Sequence, residues 1–393
     1  MLIPRAIAKE VAQLLRRFPA VCILGPRQAG KTTLARMALP GAAYWDLELP
    51  SDRRRMEIDP ETALREAPAP TILDEAQAMP ELFPILRAVI DEERKRTGRF
   101  LILGSASPNL VRGLSESLAG RIGFLEIAPL TWREIYASHA RVGFSRRWHR
   151  GGFPDAILAA SSKAWHGWME GYTRTFIERD LASFGVDVNT SLLRRLCGMI
   201  SHSHGNIWNA SEMAGSLGVS YHTAQRYADI LEQAFLVRFL PPWFANIGKR
   251  LVKRPKIYWR DSGLLHYWLG ITPGSDILSH PKAGASWEGF ILEEIINREK
   301  LARPETSPYF FRTSSGLECD LLLVRGMEQI PIEIKLASSI GREDTEKMKR
   351  VMALLKCDRG HFVCNTRQTF QTSKLTVWNA RELLASDPWS LTA

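Results

Sequence analysis

Cysteine is scarce. The five thiols (Cys22, Cys197, Cys319, Cys357, Cys364) are scattered, with no C-x-x-C pair. That spacing excludes a disulfide framework and a zinc ribbon, and it fits reduced thiols in a cytosol. Long apolar runs are also missing. No stretch of about 18 apolar residues occurs, so no membrane span is expected. "MLIPRAIAKEVAQLLRRF" reads as an amphipathic helix, without the apolar core and small-residue cleavage site of a signal peptide. There is no internal repeat and no low-complexity tract. "HSH" at 202–204 lacks Cys or His partners at ligand spacing, which leaves His139, His149, His202, His204 and His222 as ordinary surface or hinge residues.

What is present is soluble and basic. The chain has 393 residues, 45% apolar and 24% charged, enough for two or three domains with their own cores. Lys plus Arg number 52 against 42 Asp plus Glu, and the net charge of +10 favours a polyanionic partner, with nucleic acid the usual candidate. Solubility alone also accounts for such an excess. The twelve tryptophans are read as packing residues rather than base-stacking platforms.

The most informative stretch is "GPRQAGKTTL". Gly25, Pro26, Arg27, Gln28, Ala29, Gly30, Lys31, Thr32 and Thr33 fit the spacing G-x-x-x-x-G-K-[ST]. The same letters serve a surface turn, so context decides. "AVCIL" before it reads as a buried strand, and "TTLARMAL" after it as a helix. In that order the backbone N–H groups cradle phosphates at a helix N-terminus. Lys31 would reach the β and γ phosphates of ATP, and Thr32 would hold Mg²⁺.

Residues 1 to 140 alternate strands with helical patterns, which predicts a parallel α/β sheet with strands at 20–24, 42–47, 71–75, 100–104 and 123–130. "APTILDEAQ" places Asp74 and Glu75 at the carboxyl end of a strand, where ligands sit in such sheets. Asp74 would complete the Mg²⁺ shell and Glu75 would orient the attacking water. "FLILGSASP" offers Ser105, and after it Ser107, as polar groups at the next strand end. Arg121, with Arg112 upstream, precedes the fifth strand. Arg121 is the candidate arginine finger if the site lies at a subunit interface.

Residues 141–204 read as a helical lid or linker, 205–275 as a helix-turn-helix with a wing, and 276–393 as a helix followed by strands. In the middle segment Tyr221, His222, Gln225 and Arg226 open the second helix, the position from which a recognition helix reads a major groove. The run "KRLVKRPK" (Lys249, Arg250, Lys253, Arg254, Lys256) is suited to phosphates. A protein-contact module or an ATPase lid would carry the same pattern. In the last segment Glu318 and Asp320 alternate on one strand, and Glu333 and Lys335 on the next. Asp320, Glu333 and Lys335 then cluster, with Glu288 from the preceding helix, as two or three carboxylates for Mg²⁺ and a lysine to activate water. A sheet with one wet face is the alternative reading.

These stretches, with "ILDEAQAMPELFPILR", "SESLAGRI…APLTWREI", "GGFPDAIL", "LGVSYHTAQRY", "KRLVKRPKIYWRDSGLLHYWLGI", "GASWEGFILEEI" and "IEIK", resemble a family of bacterial and archaeal AAA-type ATPases. The likeness covers nearly the whole chain, in order. It implies an AAA-like P-loop core, a winged-helix-like middle and a restriction-nuclease-like end. One departure is Ser105, where such ATPases often carry Asn. The reading is then a cytosolic Mg²⁺-ATPase, forming a ring or other homo-oligomer, that acts on DNA, with or without nuclease activity. The alternative is a regulatory ATP switch that contacts a protein partner and carries an inactive nuclease-like domain.

Overall fold

Six-residue apolar strands flanked by amphipathic helices make a three-layer unit from the first third of the chain. The structure is a computed structural model that describes residues 2–105, 108–138, 141–178, 189–243, 253–387, 389 and 391. One compact unit is built on Met1–Leu130. Its strands are β1 (Ala20–Gly25), β2 (Ala43–Asp46), β3 (Thr71–Asp74), β4 (Phe100–Ser105) and β5 (Ile122–Glu126). They form one parallel sheet in the order β2-β3-β4-β1-β5.

Alternation along each strand feeds two cores. Ala20, Cys22 and Leu24 of β1, with Phe100 and Ile102 of β4, face Leu82, Phe83 and Leu86 of the helix Leu82–Glu92. Val21 and Ile23, with Leu101 and Leu103, face Val11 of the helix Ala8–Leu15 and Leu34 of the helix Lys31–Ala38. Each buried Leu, Ile, Val or Phe among them contributes roughly 1.5–3 kcal/mol, and burial on both faces is why these strands read as continuous apolar runs. The fifth strand is shorter than the predicted 123–130. Ile127 N still donates to Leu24 O, but Pro129 has no N–H to extend the ladder.

The second unit holds Thr131 onward, apart from short pieces assigned to the first. It begins earlier than residue 141. Trp132 N donates to Glu294 Oε2 and its indole to Arg381 O, so the helix Trp132–Ala137 is anchored in this unit. The helices Ser162–Glu178, Thr190–His202, Ala210–Leu217 and Tyr221–Gln233 precede an antiparallel pair, β6 (Val237–Leu240) with β7 (Lys256–Trp259). Then come the helix Ala283–Ala302 and a mixed sheet. Its strands are β8 (Ser307–Arg312), β9 (Glu318–Arg325), β10 (Glu328–Lys335), β11 (Gly360–Cys364), β12 (Phe370–Gln371) and β13 (Leu375–Asn379), ordered β12-β13-β11-β10-β9-β8. The middle and last segments expected from sequence therefore share one compact unit.

The helix Ala283–Ala302 is buried on most sides, and its four carboxylates are each held by different elements. Glu288 meets Tyr258 and Lys256, Glu293 meets Arg238 and Arg260, Glu294 meets Arg147, and Glu299 meets Thr306 and Trp389. Tryptophans line the core as expected, with Trp132, Trp165 and Trp259 fully buried. His204 is a correction to the sequence reading. It is a core residue, and its Nδ1 accepts from Trp259 N at 2.9 Å, because the turn after Thr190–His202 folds back onto β7.

Candidate nucleotide site and C-terminal carboxylate cluster

The loop after β1 is shaped by two glycines with different jobs. At Gly25 a Cβ would lie 2.3 Å from Ile127 O, so the strand end tolerates no side chain. At Gly30, φ is +93°, a left-handed turn that opens the helix Lys31–Ala38. Gln28 adopts a left-handed φ of 58° without that freedom. The Lys31 ammonium is buried and donates to Gly25 O at 3.1 Å and Pro26 O at 3.0 Å, so its charge sits inside the loop. Burial pushes the amine below its ordinary pKa, while Glu75 and Asp74 pull it back up.

Thr32 Oγ1 donates to Asp74 Oδ2 at 2.7 Å, joining the loop to the end of β3. Tyr44 OH donates to the same oxygen at 2.7 Å, and Glu75 N donates to Asp74 Oδ1 at 2.9 Å. Glu75 stands at φ 52°, and its Oε2 accepts from Gln77 Nε2 at 2.5 Å. Arg27 pairs with Glu48 at 3.1 Å, and Thr33 lies on the exposed side of the helix. Arg5 donates to Ala29 O at 2.6 Å and Ala128 O at 2.5 Å, tying the N-terminal segment to the loop. A caged ammonium, a hydroxyl and a carboxylate converge at one end of the sheet. That donor set fits a nucleotide triphosphate with Mg²⁺. Sequence reasoning missed Arg5, Tyr44 and Gln77.

Ser105 ends β4 directly beside Gly25 in the register. Its side chain, with Ser107 and the side chain of Arg112, lies outside the described residues. Arg121 sits at the opposite end of the sheet, where its backbone O accepts from Ala20 N at 3.1 Å. Five strand residues, about 17 Å, separate it from its own loop. Its guanidinium holds Asp91 through two bonds of 2.7 and 2.8 Å. It therefore does not reach the phosphates of its own chain.

In the middle segment, Tyr221, His222 and Arg226 are exposed at the start of the helix Tyr221–Gln233. Gln225 is not free to read a base. Its Oε1 accepts from Trp208 at 2.8 Å and its Nε2 donates to Asp229 at 2.7 Å. Lys253 and Arg254 are exposed, while Lys249 and Arg250 lie outside the described residues. Lys256 departs from the sequence reading. It is only 5% exposed and unavailable to phosphates, because β7 turns it inward.

That lysine reaches the C-terminal carboxylates. Its Nζ lies 3.4 Å from Glu288 Oε1 and 3.7 Å from Asp320 Oδ1. Tyr258 OH donates to Glu288 Oε1 at 2.5 Å, and Asp320 Oδ2 accepts from Ile334 N at 2.9 Å. Glu333 accepts from Lys347 at 3.1 Å, with Lys335 at 3.8 Å. Lys335 pairs more closely with Asp344, at 2.9 Å, and Glu318 with Arg312, at 3.4 Å. Burial, and then the charge of Asp320, raise the Glu288 carboxyl to about 7 and that of Glu333 to about 8. Among the described residues no three His, Cys, Asp or Glu side chains are arranged to hold a metal ion.

Comparison with known proteins assigns the three segments to domain families. Residues 17–136 match an AAA domain, residues 141–275 a domain of unknown function (DUF8612), and residues 283–383 another (DUF4143). The uncharacterized proteins Rv2008c of Mycobacterium tuberculosis and Mb2031c of Mycobacterium bovis are each 44% identical over 337 residues, 85% of this chain and 74% of theirs. An uncharacterized protein of Haemophilus influenzae is 26% identical over 218 residues, 52% of this chain and 51% of its own. Among solved structures, a Walker-type ATPase of Pyrococcus abyssi aligns with TM-score 0.46 and 15% identity, over 67% of this chain and 94% of its own. The RuvB Holliday junction branch migration motor of Thermotoga maritima aligns with TM-score 0.32 and 19% identity, over 60% of this chain and 89% of its own. No described helix is long and apolar enough to cross a membrane.

Proposed function

The chain belongs to the family of AAA-domain proteins that includes Rv2008c and ends in DUF4143, and from that premise we propose that it is a Mg²⁺-dependent ATPase acting on DNA. The observation that carries the ATPase reading is the buried Lys31 ammonium inside the loop, with Thr32 bonded to Asp74 beside it. Lys31 and the N–H groups of residues 27–32 hold the triphosphate. Thr32 and Asp74 would hold the Mg²⁺, which neutralises phosphate charge when bound. Glu75 orients a water toward the γ-phosphorus. The new P–O bond forms as the water's proton passes to the Glu75 carboxylate and the bond to the bridging oxygen breaks, and ADP leaves with that electron pair. Arg121, too far from its own site, serves the site of a neighbouring copy, which makes a ring or other homo-oligomer the working form.

The DNA reading rests on the exposed Tyr221, His222 and Arg226, and on the exposed Lys253 and Arg254, in a chain of net charge +10. In it, residues 205–275 act as a winged-helix-like holder and residues 276–393 as a restriction-nuclease-like module. The test is ATP turnover with and without duplex, single-stranded and four-way-junction DNA, with Lys31→Ala as control. A severalfold rise with one DNA form, abolished by Lys31→Ala, supports the motor. A rate indifferent to every DNA sinks it. The second reading, a regulatory switch for a protein partner, is favoured by Gln225, whose amide is spent on Trp208 and Asp229 rather than offered to bases.

A further inference from the structure

A restriction-nuclease-like sheet implies a divalent metal between its carboxylates, and the side chains of this chain do not fit one. A divalent ion needs several carboxylate oxygens converging on one point at about 2.0–2.6 Å. Here the point between Glu288 and Asp320 is taken by the ammonium of Lys256, within ion-pairing distance of both. Three further donors hold these carboxylates. Tyr258 OH donates to the Glu288 oxygen that Lys256 faces, Ile334 N holds the second oxygen of Asp320, and Lys347 holds Glu333.

Lys256 is not a surface side chain that strays inward. It opens a fully buried strand, next but one to Tyr258, so both point to the same side and both meet Glu288. Its Nζ also lies 5.6 Å from the centre of the buried Phe310 ring, within cation–π range. Burial works against the charge, but Glu288, Asp320 and Glu318 outweigh it and hold the amine above its ordinary value. The ammonium is compact and permanently tethered, so a hydrated metal ion competes against a partner already in place.

We propose that Lys256 is the built-in cation of the Glu288–Asp320 cluster, and that while it is in place the cluster takes no divalent metal and the C-terminal domain cuts no phosphodiester. The inference is independent of the ATPase reading.

The experiment is Mn²⁺ binding to the full-length, nucleotide-free protein, followed by the loss of the free-ion electron paramagnetic resonance signal. Wild type, Asp320→Asn and Glu288→Gln are expected to bind the same number of ions. Lys256→Met is expected to gain one Mn²⁺ site, lost again in Lys256→Met/Asp320→Asn, whereas Lys256→Arg gains none. A wild-type site that disappears with Asp320→Asn overturns the proposal, and so does a folded Lys256→Met protein that gains no site. If circular dichroism shows that Lys256→Met fails to fold, the comparison of wild type with Asp320→Asn and Glu288→Gln still decides.

Discussion

Replacing Gly25 by alanine tests whether the strand end beneath the phosphate loop is as closed as its geometry requires. The added Cβ would meet Ile127 O at 2.3 Å, Ile127 Cγ2 at 2.6 Å and Ile127 C at 3.3 Å. The methyl of Ile127 can rotate, but the carbonyl cannot. Residues 127 and 128 must therefore shift by about 1 Å, given an ordinary C···O contact of roughly 3.3–3.6 Å. That shift strains two bonds that pin the segment, Ile127 N to Leu24 O at 2.8 Å and Arg5 to Ala128 O at 2.5 Å. Overpacking costs about 1–3 kcal/mol, and weakening the two hydrogen bonds adds about 1–2 kcal/mol. A loss of about 2–5 kcal/mol lowers the melting temperature of a unit this size by roughly 6–20 °C. Calorimetry and fluorescent-nucleotide binding read the outcome, with Gly143→Ala as control, since nothing lies within 4 Å of that position. Gly25→Ala/Ile127→Ala should recover little, because the carbonyl remains. Unchanged melting and unchanged nucleotide affinity in Gly25→Ala would mean that the strand end has room for a methyl group after all.

Further outcomes follow from the same contacts. Arg147→Met strands the buried Glu294 carboxylate, its partner at 2.8 Å, and should destabilise the second unit by about 3–5 kcal/mol in chemical denaturation. His204 and His266 are buried and neutral, their pKa values lowered chiefly by desolvation to about 3 and about 4. Both bind protons more readily when unfolded, so their contribution is present above pH ~6.5 and lost as pH falls toward 4, by about 1.4 kcal/mol per pH unit for each group. Thermal melts from pH 7 to 4 should show that slope, and His266→Gln should reduce it by about half. Arg121→Ala should leave nucleotide binding intact but slow turnover at least tenfold, and mixing it with Lys31→Ala protein should restore activity. If mixing restores nothing, Arg121 does not act between chains. Arg226→Ala should weaken DNA binding and lower its salt dependence, whereas Gln225→Ala should lower stability, measurable by melting, more than affinity.

The nucleotide core was legible because its elements are local. A buried strand, a glycine loop and a helix stand within 20 residues, and Asp74 follows its own apolar run. Tyr44 and Arg5 were not legible, because each enters from another part of the unit and nothing in its neighbours marks it, while Gln77, two residues after Glu75, was hidden because only the left-handed turn at Glu75 brings the two side chains together. The C-terminal sheet was legible from alternation, which placed Asp320 and Glu333 on adjacent strands. The partner of Asp320 was hidden in a basic run, where Lys256 looks like its neighbours Lys253 and Arg254. The signal that separates them is the apolar "IYW" that follows, which makes Lys256 the first residue of a buried strand rather than the last of a solvated loop. Gln225 misled for a similar reason. Helix position predicts exposure, but not that Trp208 and Asp229 claim both ends of the amide.

The four carboxylates of the helix Ala283–Ala302 behave as a wiring loom for the second unit. Their counterparts come from Arg147, Arg238, Arg260, Lys256, Thr306 and Trp389, spread over some 240 residues of chain. Severing the chain between residues 275 and 283, where the two domain families meet, leaves at least three of those buried acids without their cations in the C-terminal fragment. It leaves the buried Arg147 and Lys256 and the partly buried Arg238 and Arg260 without acids in the other. The family boundary is thus a seam in sequence but not in folding, and the two segments are obliged to be made, and lost, together.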